Sequence, residues 1–217
     1  MEEIARIRQA ITLEVFDYQV LMSALSDYSK PRDKITKLLA GGAIIRIKKG
    51  LYCFSESLRR EPIIREHVAN LIYGPSYVSL DYALGYHGLI PERVEVVTSV
   101  TTRRSRAFET PIGSFSYRML HEARYATGAV LEAVGATTFL IATPEKALVD
   151  KVWTDSRFSG NHISDFGTYL LDDLRIDEEA LGGLMESRLE SIARAYDSAK
   201  INRLVRYIER LRRISDA

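Results

Sequence analysis

Cysteine is nearly absent from this chain. Cys53 is the single one in 217 residues, which excludes an intramolecular disulfide and any zinc or iron–sulfur site built on several thiolates. Histidine is scarce as well. His67, His121 and His162 have no neighbour at ligand spacing, and His87 stands in a helix-ending YHG where a ring nitrogen commonly bonds backbone. No run of about 18 apolar residues occurs, so no membrane span is expected. The opening MEEIARIRQA carries acids and no apolar core, which argues against a secretory signal and for a cytoplasmic protein. Phosphate-binding glycine loops, nucleophile elbows and paired-carboxylate motifs are missing too. The expectation is a protein that is not an enzyme, with no cofactor and no metal.

Net charge is also small, a formal +1 from 30 basic and 29 acidic residues, yet it is unevenly spread. Between Ser29 and Phe54 stand Lys30, Arg32, Lys34, Lys37, Arg46, Lys48 and Lys49, against Asp33 alone. Acids gather instead from Asp172 to Glu190, and a second set of bases, including Arg203, Arg206, Arg210 and Arg213, runs from Lys200 to Arg213. Positive charge concentrated in one segment of a near-neutral chain points to phosphate.

The segments around that cluster read as a winged helix-turn-helix. Ile4, Ile7 and Ile11 share one side of a first helix. Phe16-Asp17 reads as the start of a second, with Asp17 as cap, Phe16 as staple onto Leu21, and Val20, Leu21, Ala24 and Leu25 inward. After the turn Ser26 to Ser29, Pro31 opens a third helix to Ala40, and Gly41-Gly42 ends it. Ile35, Leu38 and Leu39 face inward there, leaving Arg32, Lys34, Thr36 and Lys37 free to reach a groove. Ala43 to Ile47 and Leu51 to Phe54 then form a hairpin with Lys48-Lys49-Gly50 as its turn. A recognition helix reads bases from its N-terminal half, which favours Arg32, Thr36 and Lys37 as base contacts. Lys30, Lys34, Arg46, Lys48 and Lys49 complete the DNA-binding set, with Lys48 and Lys49 on phosphate.

Polar Arg59-Arg60-Glu61-Pro62 marks a boundary, dividing the chain into a winged helix over 1–58 and a mixed α+β domain over 62–217. That domain begins with a helix turning Ile64, Val68, Leu71 and Ile72 inward. It continues with a Ser79-capped helix Leu80 to His87 stopped by Gly88, a strand Val94 to Val100, and a hairpin about Thr110 to Gly113. A strand Thr137 to Ala142 leads to a helix capped by Thr143 with Pro144 and Glu145 in its first turn. Glu145, Lys146 and Asp150 lack the order of a nuclease metal site and read as capping and surface charge. Arg103, Arg104 and Arg106, followed by Phe108, form a second basic patch that suits a nucleic-acid backbone or a plain solvated turn, with Arg118 and Arg124 as its extension. The chain closes on two helices, Asp177 to Tyr196 and Ser198 to Ile214. The last sets an apolar stripe (Ile201, Leu204, Val205, Ile208, Leu211) beside the basic stripe of Arg203, Arg206, Arg210 and Arg213. Such a stripe ordinarily faces water, and it also suits a partner or a nucleic acid.

The run from Phe16 through RIKKGLY (Arg46 to Tyr52), with YVSLDYALGYHGLIPE (Tyr77 to Glu92), VTSVTTRRSRAFETPIGSFSYRML (Val97 to Leu120) and ATPEKALVDKVW (Ala142 to Trp153), resembles the AbiE-type antitoxins, the regulators of type IV toxin–antitoxin systems. The likeness spans roughly residues 12 to 155 and leaves the last 60 unmatched. It implies a repressor that binds operator DNA of its own operon and neutralises a nucleotidyltransferase-like toxin, without requiring direct contact with that toxin. Operators for such modules are often repeats, so two copies bind side by side, as a dimer or as monomers meeting on DNA. The alternatives are a nuclease or other nucleic-acid-processing enzyme targeted by a winged helix, and an interaction protein whose winged helix binds protein.

Overall fold

The computed structural model describes residues 2–215 and is of mixed α+β character. Helix α1 (Glu2–Ala10) leads to a short strand β1 (Val15–Asp17), α2 (Tyr18–Ala24) and α3 (Pro31–Ala40), then β2 (Ile44–Lys48) and β3 (Leu51–Phe54). The three strands form one antiparallel sheet in the order β1-β3-β2. The helix expected to begin at Phe16 therefore starts later. Phe16 is a strand residue opposite Tyr52, and Asp17 ends the strand while its carboxylate caps α2 by accepting Val20 N–H at 2.8 Å.

Alternation sends the residues of this small sheet to two different cores. Phe16, Ile44, Tyr52 and Phe54 pack with Ile7, Ile11, Leu21, Leu25, Ile35 and Leu38 of α1 to α3. Val15, Ile47, Leu51 and Cys53 point the other way, into the core of the rest of the chain. Every residue of β3 is buried because it is the central strand and both its faces are covered. The polar segment after it is also tied down: Arg59 Nε donates to Phe54 O at 2.9 Å and Arg60 donates to Arg8 O at 3.2 Å.

The remainder is built on a second sheet, which among the described residues has six strands in the order β6-β7-β5-β4-β9-β8. These are β4 (Ser76–Val78), β5 (Val97–Thr101), β6 (Arg106–Thr110), β7 (Gly113–Met119), β8 (Ala129–Val134) and β9 (Thr137–Ala142). β4 and β8 carry no strong signal of their own, being three residues long and an edge strand respectively. β6 and β7 form the expected hairpin, with Thr110 opposite Gly113. Between the strands lie α4 (Arg65–Ile72), α5 (Leu80–Tyr86) and the single turn α6 (Glu122–Tyr125); α7 (Pro144–Thr154) follows β9. Ser79 stands at the N-cap of α5 but makes no side-chain cap bond, because its hydroxyl is used elsewhere. Thr143 does cap α7, accepting Lys146 N–H at 3.3 Å.

A short α8 (Asp165–Gly167) runs into a π-helical turn, Thr168–Asp173. The long helix expected over Asp177 to Tyr196 is instead two, α9 (Glu178–Gly182) and α10 (Glu186–Tyr196), broken at Gly183 and Leu184 where Leu184 turns inward. The last helix, α11 (Ala199–Ser215), packs against α7, α8, α9 and α10. No helix among the described residues is long and apolar enough to cross a membrane.

Candidate nucleic-acid interface

α3 presents two faces. Ile35 and Leu38 are buried in the small core, which turns Arg32, Thr36 and Lys37 into solvent, and Lys30 at the N-cap is exposed as well. The proline at the first helical position removes an amide that would have no partner, so the helix can start abruptly beneath these cations. Thr36 Oγ1 donates to Arg32 O at 3.2 Å, one turn back. Lys34 departs from the expectation of a free side chain. Its ammonium pairs with Glu3 of α1 and lies 5.6 Å from the centre of the Tyr28 ring, leaving its side chain 15% exposed. The hydrogen bond and charge of Lys34 in turn hold the Glu3 carboxyl below its usual range. Lys34 fastens α3 to α1 and does not face a groove.

The hairpin divides its cations in the same way. Arg46 and Lys49 are exposed, and Gly50 supplies the φ of +85° that the turn demands. Lys48, expected to reach out to phosphate, is instead half-buried. The β2–β3 register slips between Arg46 and Lys48, so Lys48 pairs with Leu51 and projects to the face that Leu51 buries. From there its ammonium donates to Ile72 O at the end of α4. Burial and the charge of Arg103 hold the Lys48 amine below its usual value.

That last relationship places the second patch next to the first. Arg103, Arg104 and Arg106 are all exposed on the loop and strand that follow β5. The Arg103 guanidinium carbon stands 5.7 Å from the centre of the Tyr73 ring, and Arg106 stands 5.3 Å from that of Phe108. Tyr73 links the two sides: it follows Ile72, which accepts from Lys48, and its hydroxyl donates to Arg104 O at 3.2 Å. Tyr73 and Phe108 pack at 5.6 Å. Sequence reasoning did not single out Tyr73, which reads only as an aromatic at a helix end before Gly74-Pro75.

The other candidates fall elsewhere. Arg118 is exposed, but Arg124 does not extend the patch: it lies over Trp153 at 4.1 Å and donates to Tyr196 O at 3.1 Å. On α11, Arg206 and Arg210 are exposed, while Arg203 donates to Gly160 O at 3.2 Å.

The reading of Glu145, Lys146 and Asp150 as surface charge is overturned, since all three are buried. Asp150 Oδ2 accepts from Ser79 Oγ at 2.7 Å and Tyr77 OH at 3.0 Å, and Oδ1 accepts from Lys146 Nζ and Tyr196 OH. Lys146 spends its other protons on Arg124 O at 2.6 Å and Tyr196 OH at 2.8 Å. Both Asp150 oxygens and the three Lys146 protons thus have partners, and the Asp150 carboxylate is closed to water. Burial pushes the Tyr77 and Tyr196 phenols up, and the neighbouring Asp150 charge adds to it. Glu145 accepts Met185 N–H at 2.8 Å, the residue before α10. It caps that helix and not its own.

His87 bonds backbone as expected, its Nε2 lying 2.7 Å from Ala142 O; His67 Nδ1 lies 2.7 Å from Thr138 O. No group of three or more His, Cys, Asp or Glu side chains among the described residues could hold a metal ion. The chain matches no known family model and no curated protein.

Proposed function

We propose that the protein is a sequence-specific DNA-binding repressor. Its first three helices and hairpin act as a winged helix-turn-helix, with α3 entering the major groove. The observation that carries this reading is the outward set of Arg32, Thr36 and Lys37 on α3 beside exposed Lys30, Arg46 and Lys49, none of them in an ion pair among the described residues. Arg32, Thr36 and Lys37 read base edges; Lys30, Arg46 and Lys49 hold phosphates. Arg103, Arg104 and Arg106, next to the hairpin, continue the contact along the flanking backbone. Lys34 and Lys48 set the angle of helix and hairpin.

The likeness of the blocks between Phe16 and Trp153 to the AbiE-type antitoxins supports the further reading that the operon silenced is its own, and that the larger α+β part neutralises a nucleotidyltransferase-like toxin. The deciding measurement is a mobility shift on the DNA upstream of its gene, with a salt titration. Affinity should drop steeply with salt through counterion release, and Arg32→Ala or Lys37→Ala should narrow the gap between cognate and unrelated DNA. Equal affinity for cognate and unrelated DNA at low salt would end the repressor reading. Rescue of cell growth against the neighbouring gene product tests the antitoxin part separately.

A further inference from the structure

The C-terminal helices carry charge of both signs on one face. Ile201, Leu204, Val205 and Ile208 bury the inner side of α11, so Arg206, Arg210 and Arg213, at spacings of four and three, share its exposed side. None of these three has a protein partner among the described residues. Helix α9, within the acidic segment, packs against α11. Leu181 of α9 shares the core with Ile208, Arg212 donates to Gly182 O at 3.0 Å, and Arg212 pairs with Glu186 at 3.4 Å. Asp172 and Glu178 flank α11 beside Tyr207, both exposed and likewise without side-chain partners among the described residues. Glu178 and Asp172 come close enough to Tyr207 of α11 to add to the effect of burial in pushing its phenol up.

A nucleic acid laid along the arginines would meet repulsion from the acidic border. A second copy of the chain would not. In a two-fold interface residue i of one copy meets j of the other and j meets i, so the surface must be complementary to itself, which adjacent basic and acidic strips achieve. We propose that two copies of this chain pair through this face, the Arg206, Arg210 and Arg213 stripe of each resting on Asp172 and Glu178 of the other. Ile214, 76% exposed, and the edge of Tyr207 lie on the same side of α11 and supply apolar contact. Exposed ion pairs are individually weak, so the pair is dynamic and sensitive to salt. This inference does not depend on the DNA reading.

Sedimentation velocity of the full chain over a concentration and salt series tests it. A dimer should form at low salt and dissociate as salt rises. Arg206→Glu with Arg210→Glu should be monomeric, and so should Asp172→Lys with Glu178→Lys. An equimolar mixture of these two variants should dimerise again, because both strips of the mixed pair are then complementary. As an independent readout, Arg210→Cys mixed with Glu178→Cys should form a mixed disulfide on mild oxidation, and buried Cys53 will not compete. A monomeric wild type at low salt, dimers that survive either charge reversal, or a mixture that stays monomeric would each overturn the proposal. So would loss of nucleic-acid binding on Arg206→Glu with Arg210→Glu at unchanged oligomeric state.

Discussion

Lys146 and Asp150 stand one turn apart on α7 with Nζ 3.0 Å from Oδ1, and both side chains are sealed from water. Removing either charge strands the other. Lys146→Met or Asp150→Ala is expected to lower unfolding stability by roughly 3–5 kcal/mol, read as a shifted urea midpoint. A loss below about 1 kcal/mol would mean that water reaches the site.

Gly128 faces the stem of Lys146. Its φ is +89°, and a Cβ there would sit 2.8 Å from Lys146 Cβ and 3.0 Å from Ile192 Cδ1. Gly128→Ala therefore combines a left-handed penalty of about 1–2 kcal/mol with overpacking of about 1–3 kcal/mol. Thermal unfolding should show a clear drop in midpoint, whereas an unchanged midpoint would place the β8 side of α7 further away than described.

Neighbouring Lys48 and Lys49 should behave differently. Lys49→Ala is expected to weaken binding to all DNA sequences alike and to take about one from the salt slope. Lys48→Ala should leave that slope unchanged and cost about 1 kcal/mol of stability, since it loses the bond to Ile72 O. Equal effects of the two on the slope would contradict the assigned orientations.

Asp155 sets an acid-side dependence. Burial alone would raise its pKa, but hydrogen bonds from the Arg157 side chain and backbone, with the charge of Lys151, outweigh it and hold the group below its ordinary value. A carboxyl depressed on folding stabilises the protein above its unfolded pKa, and that contribution is lost as pH falls through the folded one. Wild type should lose stability below about pH 4 more steeply than Asp155→Asn. Urea midpoints over an acid pH series measure this; parallel curves would refute it.

Cys53 is fully buried in the centre of the small sheet, and burial pushes its thiol up. It should resist an aromatic disulfide reagent in the native protein and react at once in denaturant. Fast labelling under native conditions would show that the small sheet opens.

Much of the architecture was legible because it is local. Pro31 and Gly41-Gly42 bracket α3, Thr143 caps α7, and Thr110 to Gly113 turns the β6–β7 hairpin, each through signals within a few residues. The apolar spacing of Ile35 and Leu38 also turned Arg32, Thr36 and Lys37 outward correctly. Strand β1 leaves no mark in the sequence because three residues hold no periodicity, and they are a strand only because β3 lies beside them. The break between α9 and α10 is hidden in the sequence because its helical pattern continues across Gly183.

Charge was the least legible property. Composition and spacing establish which segments are basic, which helix faces are apolar, and that a hairpin with an open glycine turn follows α3. They do not reveal which long side chains remain free. A one-residue slip in β2 sends Lys48 to a carbonyl 24 residues away, and Lys146 finds a phenol 50 residues along the chain. A lysine or carboxylate is desolvated only when distant partners converge to replace its water, and that convergence belongs to the tertiary structure alone.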